Sequence, residues 1–85
     1  MVTSRQIRAG RALLNWTQQM LADRALVAVN SVRAVERGLR HPKAETVESM
    51  RTALAKAGIV FLPEGVMGEG VRLLRPAKRR KSAKG

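Results

Sequence analysis

The sequence predicts a mainly α-helical domain of four helices, followed by a C-terminal β-hairpin and a disordered basic tail. Apolar residues recur at helical spacing up to Ala57, and caps and glycines divide that stretch into four segments. Two short apolar runs then flank a glycine-rich connection, which is typical of a hairpin. Because 85 residues form one small domain at most, we expect residues 1–75 to be that domain and residues 76–85 the tail.

Caps and glycines set the limits of the predicted helices. Thr3 followed by Gln6 has capping-box spacing and predicts the start of the first helix, and Thr17 is the predicted N-cap of the second. Gly38 and Gly58 are predicted to end the third and fourth helices, since glycine favours the position just past a helix. The predicted buried positions of the four helices are Ile7, Leu13, Leu14, Leu21, Ala22, Val32, Val35, Val47, Met50, Leu54 and Ala57.

The second and third helices are short, and only the residues 25–27 separate them. We expect the third helix at about residues 28–37, which makes the pair a helix-turn-helix, a motif that places its second helix in the major groove of DNA. A loop over residues 39–43 follows, because Pro42 disfavours helix at the residue before it. The fourth helix is predicted at about residues 44–57.

The hairpin is predicted at about residues 59–74. Its strands are the β-favouring runs 59–62 and 71–74, and the connection of residues 63–70 is longer than a tight turn. An exposed strand edge invites pairing with another chain, so the hairpin is the predicted dimer interface, and packing through the fourth helix is the alternative. The residues assigned to that interface are Ile59, Phe61, Val71 and Leu73.

The formal net charge is +11, and it is spread over the domain and the tail. The tail has five basic residues and no acidic one, so it accounts for five of the eleven units of net positive charge. The rest belong to the domain, which is therefore basic even without the tail. This excess indicates a polyanionic partner, with nucleic acid first and an anionic membrane second. The alternative is that the charge only keeps a small domain in solution. We interpret the tail as a flexible arm that adds sequence-independent attraction to DNA.

The composition argues against metalloproteins, thiol enzymes and membrane-spanning proteins. The chain has no cysteine and one histidine, His41, so no metal site, thiol nucleophile or cofactor is predicted. The six acidic residues are scattered, and no catalytic constellation is present, so we do not expect an enzyme. The start of the chain has no apolar segment, and the apolar run at residues 59–62 is too short to span a bilayer. A cytoplasmic protein is expected.

Several motifs together carry a family resemblance; they are Arg11-Ala12-Leu13-Leu14-Asn15-Trp16-Thr17-Gln18, Leu21-Ala22, Val27, Val32, Glu36-Arg37-Gly38, and Pro42 with Ala44-Glu45-Thr46-Val47. With this combination, over about residues 4–58, the chain resembles the Cro/C1-type helix-turn-helix family, also called the XRE family. The resemblance implies a DNA-binding domain in which Arg11 pairs with Glu36 as a structural ion pair. It also implies that the residues 39–43 touch the second phosphate strand.

The resemblance places Val29, Asn30 and Arg33 on the base-facing side of the recognition helix. Asn30 can make two hydrogen bonds to adenine N6 and N7, Arg33 can do the same with guanine O6 and N7, and Val29 can pack on a thymine methyl. Phosphate contacts position the protein without reading sequence. The candidates for such contacts are Gln18, Gln19, Ser31, Arg37, Arg40 and Lys43.

Two positions depart from the family pattern. Leu26 stands where the turn often has glycine, and a left-handed conformation there would cost about 1–2 kcal/mol. Ala28 stands where a Ser or Thr usually caps the recognition helix, and losing a cap costs about 0.5–2 kcal/mol. Both changes bear on how the helix docks.

We expect a sequence-specific regulator that binds double-stranded DNA as a homodimer on a palindromic operator and represses by occupying a promoter, on the bacterial or phage nucleoid. Two other classes are open. One is an antitoxin or anti-activator that binds a partner protein, with DNA binding secondary. The other is a non-specific architectural protein that uses charge alone.

Overall fold

The computed structural model describes residues 2–39, 41–65 and 67–74. Four helices precede a two-stranded antiparallel sheet in this part of the chain, which confirms the predicted fold class. The elements are α1 (Ser4–Leu14), α2 (Gln18–Ala25), α3 (Val29–Glu36), α4 (Ala44–Lys56), β1 (Ile59–Leu62) and β2 (Gly70–Leu73). Arg40 and the predicted tail at residues 76–85 lie outside the described residues.

Both predicted threonine caps are confirmed. The Thr3 hydroxyl accepts from the Gln6 amide at 3.1 Å, and the Gln6 side chain accepts from the Thr3 amide at 3.0 Å, which is a complete capping box. The Thr17 hydroxyl accepts from the Met20 amide at 3.0 Å at the start of α2. Each bond satisfies an amide that a helix N-terminus leaves without an intrahelical partner.

The turn between α2 and α3 contains a strained leucine. Ala25 is still helical, so the turn begins one residue later than predicted, and Leu26 adopts a left-handed conformation with φ 60°. The Val27 amide then donates to the Ala22 carbonyl at 3.0 Å and closes the end of α2. The Leu26 side chain is 90% exposed, so packing contacts offset little of its backbone cost.

The core lies between the four helices and the inner face of the hairpin. Its largest fully buried side chains are Ile7, Leu21, Met50, Leu54 and Val32. Three predicted core positions are wrong or only partly buried: Leu13 is 47% exposed, Leu14 is half-buried against the core, and Ala57 lies just past α4 and is half-buried. Leu13 lies off the buried face because α1 turns Ile7, Gly10 and Leu14 to one side at spacings of three and four.

The hairpin packs its inner face onto the helices. Ile59 pairs with Leu73 and Phe61 with Val71, and Ile59 is 3% exposed while the other three are half-buried against the core. Gly10 of α1 makes this approach close, since a Cβ there would lie 3.4 Å from Ile59 Cγ2. All four residues assigned to the dimer interface therefore face their own domain.

Gly58 connects α4 to β1 at a position that requires glycine. Its φ is +110°, and a Cβ there would lie 2.7 Å from the Leu74 carbonyl oxygen. The Leu74 amide donates to the Gly58 carbonyl at 2.7 Å, so the two backbones run in contact. Gly38, which follows α3, also has a positive φ (+86°), but a Cβ there would meet nothing within 4 Å.

A polar clamp joins the start of α1 to the far end of the hairpin. The side-chain Nε2 of Gln6 donates to the backbone carbonyls of Leu62 and Gly70, at 2.8 and 3.0 Å. These two bonds hold the end of β1 beside the start of β2. The Arg5 Nε donates to the Glu69 carboxylate at 2.6 Å, and this hydrogen bond lowers the pKa of Glu69 below its ordinary value. The clamp fixes the hairpin on α1.

Candidate nucleic-acid interface

Helix α3 separates its residues into a buried set and an exposed set. Val32, Val35 and Glu36 are at most 7% exposed and face the core. Asn30 and Arg33 are exposed, and Arg37 extends this exposed side just past the helix. Only one acidic residue belongs to α3, and it is in the buried set, so the outer side of this helix carries basic and neutral groups alone.

The three predicted base-reading residues differ in their surroundings. Asn30 and Arg33 are joined on the exposed side, where the Arg33 Nη1 donates to the Asn30 Oδ1 at 2.8 Å. Val29, at the first position of α3, is half-buried and packs against the core. The structure therefore brings two of the three together and turns Val29 partly inward.

The Glu36 carboxylate is the centre of a network that holds the helix-turn-helix together. Arg11 of α1 donates to it through Nε at 2.7 Å and through Nη2 at 2.9 Å. The side-chain Nε2 of Gln18, on α2, donates to the same carboxylate at 3.0 Å. Glu36 is 3% exposed and Arg11 22%, so the charges offset each other largely out of water. The network fixes α3 relative to α1 and α2.

Two further bonds extend this network, and neither was predicted from the sequence. The Arg11 Nη1 donates to the Trp16 carbonyl at 2.9 Å, and Arg8 donates to the Glu36 backbone carbonyl. The spacing of the α1 arginines, every third residue, is the signal that could have suggested a shared role. Arginines at that spacing lie near one another on a helix.

The two glutamines at the start of α2 have different partners. Gln18 is half-buried and gives one amide hydrogen to Glu36, which leaves its second hydrogen for another acceptor. Gln19 is exposed and donates to Asp23 at 2.9 Å within α2. Both stand beside the Thr17 cap, at the end of α2 where the helix dipole favours an anion.

A groove of about 400 Å³ separates α3 from the segment before α4. Asn30 and Ser31 line it from α3, and His41 and Lys43 line it from the opposite side. Lys43 is exposed and occupies the N-cap position of α4, where its side chain makes no capping bond. A base-reading candidate and two phosphate-contact candidates thus share one concave surface.

The described residues form neither a metal-binding cluster nor a membrane-spanning helix. Within residues 2–39, 41–65 and 67–74, no group of three or more candidate ligands could hold a metal ion. No helix in those ranges has the length and apolar character that a membrane crossing needs.

Comparison with protein-family models matches residues 7–57 to the helix-turn-helix family. This range holds most of α1 and all of α2, α3 and α4, and it ends before the hairpin begins. It covers more than half of the chain and contains the Glu36 network together with the exposed side of α3. No curated protein matches the chain significantly.

Proposed function

The chain belongs to the Cro/C1-type, or XRE, helix-turn-helix family of DNA-binding regulators, and from this premise we propose that it is a dimeric, sequence-specific repressor that occupies a promoter. The observation that carries the proposal is the exposed side of α3, where Asn30, Arg33 and Arg37 stand without an acidic residue. Such a helix can enter the major groove without repulsion from phosphates.

In the proposed complex, Val29, Asn30 and Arg33 face the bases. The phosphate contacts come from the start of α2, from both ends of α3 and from the segment before α4, with Gln18, Gln19, Ser31, Arg37, Arg40 and Lys43 as the contacting residues. Each phosphate contact from a basic residue should contribute about 0.9 to the slope of log affinity against log salt. Arg37→Ala and Lys43→Ala should each lower that slope without changing base preference.

We propose that the dimer contact is formed by the hairpin, but through residues other than the four predicted from the sequence. The inner face packs on the helices, so a partner would meet the outer face, which strand alternation assigns to Val60, Leu62 and Arg72. Packing of two outer faces about a two-fold axis would give one α3 for each half-site, and half-sites one DNA turn apart require the two helices to lie about 34 Å from each other. Val60→Arg should yield a folded monomer, and Ala12→Arg, which adds the same charge at an exposed position of α1, is the control. A dimer that persists in Val60→Arg would place the interface elsewhere.

The proposal is tested by fluorescence anisotropy on the DNA upstream of its own gene and on a scrambled duplex, at low and at physiological salt. A repressor should prefer the native site by about 10³-fold or more at physiological salt. Arg33→Ala should reduce this preference, whereas Arg51→Ala, which removes a half-buried arginine paired with Glu48 on α4, should not. Equal binding that collapses with salt would favour an architectural protein. Absence of binding would favour an antitoxin or anti-activator that acts through a partner.

A further inference from the structure

Asn30 and Arg33 form one hydrogen-bonded unit on the exposed side of α3. They lie three residues apart, which places them on the same side of the helix, and the Arg33 Nη1 donates to the Asn30 Oδ1 at 2.8 Å. Oδ1 is the only acceptor atom in the two side-chain head groups. Its bond to Arg33 occupies one of its two lone pairs and places the other beside a guanidinium, so the outward surface is dominated by N–H groups, namely the Asn30 amide and the remaining guanidinium hydrogens.

This arrangement changes which base edge Asn30 can read. An asparagine that reads adenine accepts from the N6 amino group through Oδ1 and donates to N7. Here Oδ1 is bonded to a guanidinium, so an adenine N6 amino group would have to approach beside a positive charge with its own positively polarised hydrogens. Guanine presents O6 and N7, both acceptors, and thymine presents O4. A surface of donors therefore suits guanine and thymine and is poorly matched to adenine.

The spacing of the two side chains suits neighbouring base pairs. Three residues rise about 4.5 Å along an α-helix, which is comparable with the step of about 3.4 Å between stacked bases. No acidic residue stands on the exposed side of α3 to draw Arg33 away from Asn30, since Glu36 is buried and bonded to Arg11.

We propose that Asn30 and Arg33 act together as a donor-rich reading unit, which selects a guanine next to a second acceptor base, guanine or thymine, and disfavours adenine opposite Asn30. The inference rests on the proposed function, in that it requires α3 to lie in the major groove. It differs from the expectation from the sequence, in which Asn30 reads adenine, and the experiment decides between the two.

The test begins with selection of duplexes from a randomised pool by the full chain at physiological salt, followed by anisotropy on the selected site. Replacing the selected guanine by 7-deazaguanine removes the N7 acceptor and keeps base pairing. This change should weaken binding by about 5- to 150-fold, the range expected for one good base contact. 7-Deazaadenine at neighbouring adenines should leave binding unchanged.

Two variants separate the unit from general DNA attraction. Asn30→Ala should keep the guanine preference of Arg33 and lose the preference for the second acceptor base. Arg37→Ala, the control, removes an exposed arginine outside the unit and should weaken all duplexes alike. Circular dichroism of each variant establishes that it is folded.

The outcomes distinguish this inference from the function on which it rests. A selected site with a guanine beside an acceptor base, and sensitivity to 7-deazaguanine, supports the inference. A selected adenine that is lost in Asn30→Ala and is sensitive to 7-deazaadenine overturns the inference, while sequence-specific binding stands. A pool that yields no preferred site overturns both.

Discussion

Arg11→Met should destabilise the domain strongly, because it leaves the Glu36 carboxylate buried without its cation. Arg11 supplies two of the three side-chain donors to that carboxylate, at 2.7 and 2.9 Å, and only the Gln18 amide at 3.0 Å remains in the variant. Methionine keeps much of the length and apolar contact of the arginine stem. The effect therefore reports the lost charge and hydrogen bonds rather than a cavity.

The expected cost is about 3–5 kcal/mol, which is the usual result of removing one partner from a buried ion pair. Glu36 is 3% exposed, so water does little to replace Arg11. At about 0.05–0.15 kcal/mol per residue, a domain of this size has about 4–11 kcal/mol of total stability. The variant should thus lose a large part of its stability. With an m-value near 1 kcal/mol/M, its urea midpoint should fall by about 3 M or more.

The assay is urea unfolding at neutral pH, followed by circular dichroism, for the parent and three variants. Arg51→Met is the matched control, because Arg51 pairs with Glu48 on the exposed side of α4 and should leave the midpoint unchanged within error. Adding Glu36→Leu to Arg11→Met removes the unpaired charge and should recover much of the loss. A cost below about 1 kcal/mol for Arg11→Met would refute the view that this pair is a buried structural one.

Three further predictions concern the backbone and the clamp. Gly58→Ala should lower the free energy of unfolding by more than about 2 kcal/mol, since it adds a backbone clash to a positive φ. Gly38→Ala has the positive φ without the clash and should lower it by about 1 kcal/mol. Urea midpoints that rank the two variants the other way would contradict the clash. Leu26→Gly should raise stability by about 0.5–1 kcal/mol, because it relieves the left-handed strain and loses some of that gain to chain entropy, and a lower thermal midpoint would speak against strain. The hydrogen bond from Arg5 lowers the folded-state pKa of Glu69 below 4.5, so the stabilisation from this bond is present above that pH and is lost as the pH falls through the lowered pKa. Glu69→Gln should therefore make the thermal midpoint less dependent on pH in that acidic range. An unchanged dependence would argue against the clamp.

Features that depend on a few neighbouring residues were predictable from the sequence. The capping box at Thr3 and Gln6, the cap at Thr17, and Gly38 after α3 follow from rules that act within one helical turn. The number of helices and the hairpin follow from apolar spacing and from the glycine-rich connection. The predicted elements have the observed order for this reason.

Features that depend on contacts between distant segments were not predictable. Gln6 reads as a capping residue, and nothing local indicates that its amide also ties the ends of both strands. Leu13 and Leu14 are adjacent in sequence, and the packing of α1 leaves Leu13 exposed and Leu14 half-buried against the core. The bond between Arg33 and Asn30 depends on rotamers of two exposed side chains, which composition and spacing leave open.

The division of α3 into a buried set and an exposed set has a consequence for how such a protein can diverge. Residues that secure the helix, among them Val32 and Glu36, share no position with those that face outward, Asn30 and Arg33. Under the proposed function, substitutions at the outward positions would alter target preference and leave the buried contacts of α3 in place. A duplicated copy would then acquire a new operator through one or two such changes.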